Sequence, residues 1–278
     1  MNIGIIGYGY VGKAVDFGFK PKNKIFIHDK YLSSLTLKEV VKNSDIIFIC
    51  VPTPMDHKYT CIDLSIVEEV VKNTIDLAKK FKKEPIITIK STVIPGTTRA
   101  LGKKFNWSKI SFNPEFLTEA NYLHDFVNAD RIIVGSDHAL VTQKVVDLYR
   151  GSFPNTPIFQ TDPTTAEMVK YMANTYLATK VVFANEMYDL CQSLGINYTE
   201  VKKMVVADKR IYDSHLDITT QRGFGGKCFP KDAVALLGLA EKMGVELSIL
   251  KKAWEKNLKI RKVKDWEEIP GAVSKNNK

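Results

Sequence analysis

Cysteine and histidine are scarce in this chain of 278 residues, and neither is spaced for binding a metal ion. The four cysteines form no Cys-x-x-Cys pair, and the five histidines form no His-x-His or His-Glu-x-x-His pattern. Structural zinc sites and disulfide frameworks are built from such groupings. We therefore expect neither a metal site nor a set of disulfide bonds.

Long hydrophobic runs are also lacking. The longest, such as residues 45–51 and 86–89, fall far short of the roughly 18 residues that a membrane-spanning helix needs. The first four residues enter a strand-like run directly, without the basic and apolar segments of a signal peptide. These absences predict a cytoplasmic protein that contacts no membrane.

A dense block of positive charge is absent as well. Forty basic residues against 31 acidic ones give a net charge of +9, but the lysines are scattered along helical stretches. Scattered charge does not predict nucleic-acid binding. A solvated, lysine-rich surface accounts for the net positive charge. The alternative is that this charge creates a field that attracts dinucleotides and nucleotide sugars.

About the first 160 residues alternate short β-rich runs with helical patterns. Strands are predicted near residues 2–6, 24–28, 45–51, 85–89, 109–112, 131–134 and 157–159. Helices are predicted near residues 11–19, 37–42, 64–81, 97–104 and 139–150. Such alternation is typical of βαβ units around a parallel sheet.

The pattern changes near Pro163, because residues 164–195 carry helical apolar spacing over an unusual length. Further helices are predicted near 198–206, 231–243 and 248–261. We therefore predict an α/β fold in which a Rossmann-type doubly wound parallel sheet (1–162) precedes a helical central and dimerisation domain (163–266). Residues 267–278 are predicted to be a frayed tail.

The long helix predicts a homodimer. Its apolar residues occupy several faces and comprise Met168, Met172, Tyr176, Val181, Val182, Phe183, Met187 and Leu190. A helix with more than one apolar stripe must bury the additional apolar surface, and a second copy of the chain can cover that surface with its own equivalent surface. The alternative is that residues 248–261 cover this surface within one chain.

A Gly-x-Gly-x-x-Gly motif, Gly7 to Gly12, follows the first strand and opens a helix. In that context Gly7 permits a tight turn, Gly9 lets the backbone approach a pyrophosphate, and Gly12 allows close packing of helix on strand. Asp29 ends the second strand, where a carboxylate accepts hydrogen bonds from a ribose and repels a 2′-phosphate. The pattern predicts NAD as the cofactor, while the adjacent Lys30 leaves some tolerance of NADP open.

The most informative segment is Gly223-Phe-Gly-Gly-Lys-Cys-Phe-Pro-Lys-Asp232. Its glycines let the backbone approach a substrate closely, and Pro230 at a helix start places Cys228 near amide dipoles and Lys231. These surroundings favour a reactive thiolate. A buried, inert thiol is the alternative that we assign to Cys50 and Cys191.

Six motifs together resemble the UDP-glucose/GDP-mannose dehydrogenase family over residues 1 to about 257. They are GYGYVG (7–12), VPTP (51–54), KST (90–92), NPEFLTE (113–119), KYMAN (170–174) and GFGGKCFPKD (223–232). The resemblance implies NAD-dependent, four-electron oxidation of the C6 alcohol of a nucleotide sugar to a carboxylate, first of all UDP-glucose to UDP-glucuronate. Alternatives are a GDP-mannose or UDP-N-acetylhexosamine substrate, or a non-catalytic NAD-binding subunit.

The resemblance also implies a role for individual residues, with Cys228 attacking an aldehyde to give a thiohemiacetal and then a thioester. The implied catalytic residues are Cys228, Lys170, Asn174, Asp232, Thr92, Glu115 and Glu119. The implied cofactor contacts are Gly7, Gly9, Tyr10, Val11, Gly12, Asp29, Thr53, Thr92, Glu119 and Lys231. The implied substrate contacts are Glu115, Phe116, Leu117, Glu119, Lys170, Asn174, Arg210, Phe224 and Gly225. The identity of the general base stays open.

Two features depart from the family pattern. The family continues into a second Rossmann-like domain that binds the nucleotide, whereas this sequence stops soon after residue 257. Tyr212, two residues after Arg210, stands where the family has glycine, and the spacing from Arg210 to Cys228 is altered. We expect the first departure to affect binding of the nucleotide half rather than the oxidation itself.

Overall fold

The structure is a computed structural model that describes residues 1–274. Within these residues the strands are β1 (Asn2–Ile6), β2 (Lys24–His28), β3 (Ile46–Ile49), β4 (Ile86–Ile89), β5 (Ile110–Phe112), β6 (Ile132–Gly135) and β7 (Ile158–Thr161). The α-helices are α1 (Tyr10–Phe19), α2 (Leu37–Asn43), α3 (Ser65–Lys80), α4 (Thr97–Lys104), α5 (Tyr122–Val127), α6 (Ala139–Ser152), α7 (Pro163–Ser193), α8 (Tyr198–Val205), α9 (Phe229–Lys242) and α10 (Ser248–Ile260), and a 3-10 helix spans Asp265–Glu267.

The chain divides into two compact units. The first comprises Met1–Thr53 and Leu64–Lys170, and the second comprises Pro54–Asp63 and the chain from Tyr171 onward. Helix α7 therefore begins in the first unit and continues in the second. The short segment Pro54–Asp63 also belongs to the second unit, whereas we predicted it to be part of the domain formed by residues 1–162.

The first unit is built on a seven-stranded sheet with the order β2-β1-β3-β4-β5-β6-β7. Strands β1 to β5 pair in parallel, and β6 and β7 run antiparallel to them. After β2 the chain crosses to β3 on the other side of β1, so the strand order reverses beside β1. Ligands of open α/β sheets bind outside the carboxyl ends of the strands at such a reversal.

Helices cover both faces of this sheet. Ile46 and Phe48 of β3 belong to a core cluster that includes residues of α1 and α6, while Ile47 and Ile49 belong to one that includes residues of α2 and α3. Successive side chains of a strand point to opposite faces. A strand covered on both faces is therefore apolar throughout, which accounts for the continuous run at β3.

The predicted fold class is confirmed, and most predicted elements have nearly their expected bounds. Two elements were not predicted, α5 and the 3-10 helix. Helix α5 has six residues and lacks a side-chain cap among the described residues, so its sequence carries little helical signal. The expected parallel sheet is wrong at β6, which meets β5 through the single antiparallel pair Phe112–Gly135.

A buried carboxylate fixes the start of α7 to the first unit. Glu167 accepts hydrogen bonds from the N–H groups of Gly96 (2.5 Å) and Thr98 (2.8 Å) at the start of α4. The side chain is fully buried, and burial raises the pKa of Glu167 to about 7. These contacts lie one turn before Lys170 and so help to set the position of that side chain.

The second unit is largely helical. One of its core clusters joins Ala184 and Cys191 of α7 with Tyr198 of α8 and Leu216 of the following loop. The rest of α7 and helices α8, α9 and α10 supply its regular structure. No helix within residues 1–274 is long and apolar enough to cross a membrane.

The segment after α10 is packed against its own unit, unlike the frayed tail that we expected for residues 267–278. Trp266 is fully buried, and the carbonyl oxygen of Ala272 accepts a hydrogen bond from the N–H of Met55 at 2.9 Å. Val273 also pairs with Met55 in a short β-bridge. Residues 275–278 lie outside the described residues.

Candidate active site

Space around the first motif admits only glycine at two positions. Gly7 has a φ of +92°, and a Cβ there would meet the backbone of Cys50. A Cβ on Gly12 would meet the carbonyl oxygen of Gly7. The tight turn and the close helix–strand packing predicted from the sequence are therefore both present.

Gly9 lies immediately before α1, and a Cβ there would meet no atom within 4 Å. Among the described residues, no side chain caps this end of α1. The first N–H groups of a helix lack partners within the helix and attract an anion. Open space beside these amides fits the pyrophosphate of a dinucleotide.

Asp29 follows β2 and joins the end of that strand to the glycine loop. Its Oδ2 accepts a hydrogen bond from the N–H of Tyr8 at 2.7 Å, and its Oδ1 accepts one from the N–H of Tyr31 at 2.8 Å. The carboxylate is thus held beside the loop that would carry the pyrophosphate. This is the position that a ribose-binding carboxylate requires.

Five other predicted cofactor and catalytic residues lie at the same edge of the sheet. Thr53 and Thr92 follow β3 and β4 and are buried. Val11 and Tyr10 form the first turn of α1. The hydroxyl of Tyr10 is hydrogen-bonded to Glu119, and this bond raises the pKa of Tyr10. Glu119 is therefore close to the start of α1.

A buried ion pair joins two of the predicted catalytic residues of the first unit. The Nζ atom of Lys170 lies 2.9 Å from Oε1 of Glu115, and the two side chains are 2% and 8% exposed. Glu115 comes from the loop after β5 and Lys170 from α7. The other oxygen of Glu115 accepts a hydrogen bond from the N–H of Leu117 at 2.8 Å. The glutamate is therefore fixed by its own loop and by the helix.

The same contacts keep Glu115 ionised. Burial alone would raise its pKa, but the charge of Lys170, the Leu117 N–H and the charge of Lys90 outweigh burial and lower it. A carboxylate at this position can bind sugar hydroxyls or, if its pKa is raised, activate water. The lowered pKa favours binding of sugar hydroxyls.

Lys90 is a buried lysine for which sequence patterns predicted no role. Its Nζ donates to Oδ1 of Asn113 (2.8 Å) and to the carbonyl oxygen of Pro114 (3.3 Å), so it holds the turn that carries Glu115. Burial lowers the pKa of Lys90 to about 8. The sequence signal was present in the Lys-Ser-Thr motif, but spacing could not reveal its partners.

Three predicted substrate residues, Glu115, Phe116 and Leu117, line a cavity of about 250 Å³ in the first unit. The guanidinium of Arg131 lies 4.2 Å from the centre of the Phe116 ring, and Nζ of Lys170 lies 5.6 Å from it. Cations above a ring face are attracted by its π electrons. Phe116 is therefore held in place on the wall of the cavity.

In the second unit, Cys228 immediately precedes the first residue of α9. Pro230 occupies the first turn, as the sequence predicted, and the carbonyl oxygen of Cys228 accepts the N–H of Asp232 at 2.9 Å. The thiol is half-buried. Amide dipoles at a helix N-terminus stabilise a thiolate, so this cysteine is placed for nucleophilic chemistry.

Three further predicted residues form a buried cluster one turn into α9. Asp232 is fully buried; its Oδ1 accepts from Nζ of Lys231 at 2.5 Å, and its Oδ2 accepts from Nδ2 of Asn174 at 2.6 Å. The resemblance implies that Lys231 contacts the cofactor and that Asp232 is catalytic. The structure pairs the two with each other and with α7.

Phe224 and Gly225 are engaged in packing within the second unit. The Phe224 ring stacks on Trp254 with centroids 5.9 Å apart, and a Cβ on Gly225 would meet the side chains of Arg261 and Asp265. Their glycine and aromatic character thus has a structural cause. Substrate contact by these residues stays a prediction.

Arg210, the remaining predicted substrate residue, is exposed and forms an ion pair with Asp208 at 2.5 Å. Its side chain is 87% exposed. Nothing in this arrangement brings it to the residues described above, and its role also stays a prediction. Within residues 1–274, no three His, Cys, Asp or Glu side chains are grouped so that they could hold a metal ion.

The arrangement supplies the parts that oxidation of an alcohol requires. The first unit holds a dinucleotide cradle and a lysine, Lys170, that can stabilise an oxyanion. The second unit holds a cysteine at a helix start and a fully buried carboxylate, Asp232, with a cation beside it. A buried charge needs such a partner, since an unpaired one is costly.

Known families match both units. Residues 22–152 match the NAD-binding domain of the UDP-glucose/GDP-mannose dehydrogenase family, and residues 164–259 match its central domain. The first unit is thus an NAD-binding domain, and NAD is the cofactor.

Individual relatives agree with this assignment. A UDP-glucose 6-dehydrogenase of Campylobacter jejuni is 32% identical, covering 94% of this chain and 73% of that relative. One of Rickettsia prowazekii is 37% identical over 78% of this chain, which spans only half of that relative. The solved structure of a UDP-glucose dehydrogenase from Pyrobaculum islandicum superimposes on this chain with a TM-score of 0.85 at 29% identity, covering 93% of this chain and 68% of the other. The chain therefore belongs to the UDP-glucose/GDP-mannose dehydrogenase family.

Proposed function

We propose that this chain carries out the NAD-dependent, four-electron oxidation of the C6 alcohol of a nucleotide sugar to the carboxylate. The observation that carries the proposal is the placement of Cys228 at the start of α9, one turn before the buried Asp232 with its partners Asn174 and Lys231. A dinucleotide-binding protein without a covalent step needs no such thiol. The same observation weighs against a non-catalytic NAD-binding subunit.

In the first oxidation, the substrate alcohol becomes an aldehyde. When bound, NAD supplies the hydride acceptor for this step and for the second oxidation. The ionised Glu115 accepts hydrogen bonds from sugar hydroxyls, and Lys170 stabilises negative charge on the C6 oxygen as its proton leaves to solvent. The buried ion pair between them holds both side chains in place.

In the second stage, Cys228 acts as the nucleophile. Its sulfur forms a bond to C6 of the aldehyde, and the oxygen takes up a proton, giving a thiohemiacetal. Loss of a hydride and a proton then gives a thioester. Water attacks C6, the carbon–sulfur bond breaks, and the acid and the thiol are released. We propose that Asn174 holds the C6 oxygen and that Thr92 and Asp232 orient water.

UDP-glucose is the substrate that we propose first, with UDP-glucuronate as the product. Support comes from the similar proteins, which include UDP-glucose 6-dehydrogenases of Campylobacter jejuni and Rickettsia prowazekii. A GDP-mannose dehydrogenase of Pseudomonas aeruginosa is also similar in structure, with a TM-score of 0.70 and 25% identity. GDP-mannose is therefore the second substrate to test.

We also propose that the chain forms a homodimer through one stripe of α7. Met172, Tyr176, Phe183 and Leu190 are each more than half exposed, and their spacing of four, seven and seven residues places them on one helix face. Helix α10 leaves this stripe uncovered. A second copy can bury the same stripe on both chains.

The decisive test is reduction of NAD in the presence of a panel of nucleotide sugars. We expect two NADH per UDP-glucose consumed and a sugar acid as product, because both oxidations use NAD. If two NADH form per GDP-mannose or UDP-N-acetylhexosamine and UDP-glucose is inert, the proposed reaction is supported and the proposed substrate is wrong. NAD binding without turnover of any sugar in the panel would support the non-catalytic alternative.

A further inference from the structure

The glycine-rich turn before Cys228, residues 222–227, is hydrogen-bonded to the end of α10. Asn257 donates from Nδ2 to the carbonyl oxygen of Phe224 at 3.0 Å and accepts the N–H of the same residue through Oδ1 at 2.7 Å. Asn257 is fully buried. This pair of hydrogen bonds fixes the backbone of Phe224 as a neighbouring strand would.

One turn further on, Arg261 and Asp265 hold the next part of the turn. Oδ2 of Asp265 accepts the N–H of Gly226 at 3.0 Å and also pairs with Nη2 of Arg261 at 3.0 Å. Nη1 of Arg261 donates to the carbonyl oxygen of Arg222 at 3.0 Å, and its Nε donates to that of Val263 at 3.0 Å. The turn is therefore bonded to this pair on both sides of Gly225.

Gly225 itself lies against the two side chains. A Cβ at this position would overlap Nη2 of Arg261 and Oδ1 of Asp265. Gly226 differs, since a Cβ there would meet no atom within 4 Å. Part of the glycine pattern before the cysteine is thus required by contact with Arg261 and Asp265 rather than by a substrate.

We propose that Asp265, held by Arg261, is a positioning residue for Cys228, because it bonds the backbone two residues before the cysteine and so keeps the sulfur at the start of α9. The inference rests on the proposed function in so far as Cys228 is the nucleophile. A turn released from Asp265 lets Cys228 move away from the first amides of α9. Less thiolate then forms at neutral pH.

The experiment measures alkylation of Cys228 by iodoacetamide as a function of pH, with the labelled peptide quantified by mass spectrometry. For Asp265→Ala we expect the pH of half-maximal rate to rise by about 0.5 to 1 relative to wild type, the loss of one helix-terminus interaction. Asp265→Asn retains an acceptor for the Gly226 N–H and should keep the wild-type midpoint. Glu268→Gln changes an exposed carboxylate of the same segment and serves as the control.

Replacing a residue that only stabilises the unit lowers the melting temperature but leaves the pH of half-maximal alkylation unchanged. A wild-type midpoint in Asp265→Ala with a lower melting temperature would overturn the proposal. If that variant does not fold, Arg261→Gln, which frees the Asp265 carboxylate, should give a smaller upward shift, and no shift would overturn the proposal equally. Alkylation of Cys228 needs no nucleotide sugar. If the wild-type chain fails to turn over any sugar, the proposed function is contradicted, but the alkylation experiment still tests the role of Asp265.

Discussion

The side chains of Lys170 and Glu115 form a buried salt bridge of 2.9 Å between α7 and the loop after β5. Each ion has lost most of its hydration, so each depends on the other for compensation. Removing both charges from such a pair costs much less than removing one. This asymmetry gives a direct test of the pair.

Lys170→Met should lower the free energy of unfolding by about 3 to 5 kcal/mol, because the buried carboxylate of Glu115 loses its ion-pair partner. The double variant Lys170→Met/Glu115→Gln should regain most of that loss. Urea unfolding measures both. Lys72→Met removes an exposed pair with Asp76 and should change stability by less than about 1 kcal/mol. A double variant as unstable as the single one would contradict a coupled pair.

A second prediction concerns the pH dependence of stability. The pKa of Lys90 is about 8 in the folded chain, against an ordinary value of 10.5. Between these pH values the unfolded chain holds a proton that the folded chain lacks, so the free energy of unfolding rises with pH. This contribution is complete above pH 10.5 and is lost progressively as the pH falls from 10.5 to 8.

Lys90→Met should remove that dependence. The difference in unfolding free energy between wild type and variant should therefore grow by up to about 3 kcal/mol from pH 8 to 10.5. Taking the difference cancels the titration of tyrosines and other lysines in the same range. A difference that is constant with pH would show that Lys90 is not desolvated as described.

The third prediction tests the cofactor cradle. Asp29→Ala should weaken NAD binding about ten- to a hundredfold, because a charge-assisted pair of ribose hydrogen bonds worth roughly 1.5 to 3 kcal/mol is lost. Calorimetric titration measures the affinity. Asp29→Asn, which can still accept the Tyr8 N–H, separates the loss of charge from disorder of the glycine loop. Equal affinity of the wild-type chain for NADP and NAD would contradict the cofactor preference.

The fourth prediction assigns the nucleophile. Cys228→Ser should abolish formation of the acid, because a serine hydroxyl at this position lacks the reactivity of a thiolate. NAD affinity should be unchanged, since the pyrophosphate cradle lies at Gly7 to Gly12. Cys61→Ser alters another half-buried thiol and should retain activity. Wild-type turnover by the Cys228 variant would show that another group attacks the aldehyde.

Local features of the site could be predicted from the sequence, but remote pairings could not. The turn at Gly7, the position of Asp29 and the start of α9 after Cys228 follow from spacing within a few residues. The pairs Lys170–Glu115 and Asn174–Asp232 join distant segments of the chain. Periodicity reports which face a residue occupies and says nothing about which distant residue meets it.

The same limit explains two interpretations that the structure changes. Glycines before a cysteine predict that another group approaches the backbone closely. At Gly225 the groups that do so are the side chains of Arg261 and Asp265. The expected apolar faces of α7 also divide differently, because Val182 is buried while Phe183 is exposed. Only the folded chain separates an apolar residue used in the core from one left for a partner.

The last prediction tests the proposed dimer. Phe183→Glu places a charge in the exposed stripe of α7 and should shift the chain toward the monomer mass of 31.4 kDa, because a buried unpaired charge opposes association. Light scattering at micromolar concentration measures the mass. Ile249→Glu, on α10, changes another exposed apolar residue of the second unit away from the stripe and should leave the mass as in wild type. A wild-type mass near 31.4 kDa that does not rise with concentration would rule out the dimer.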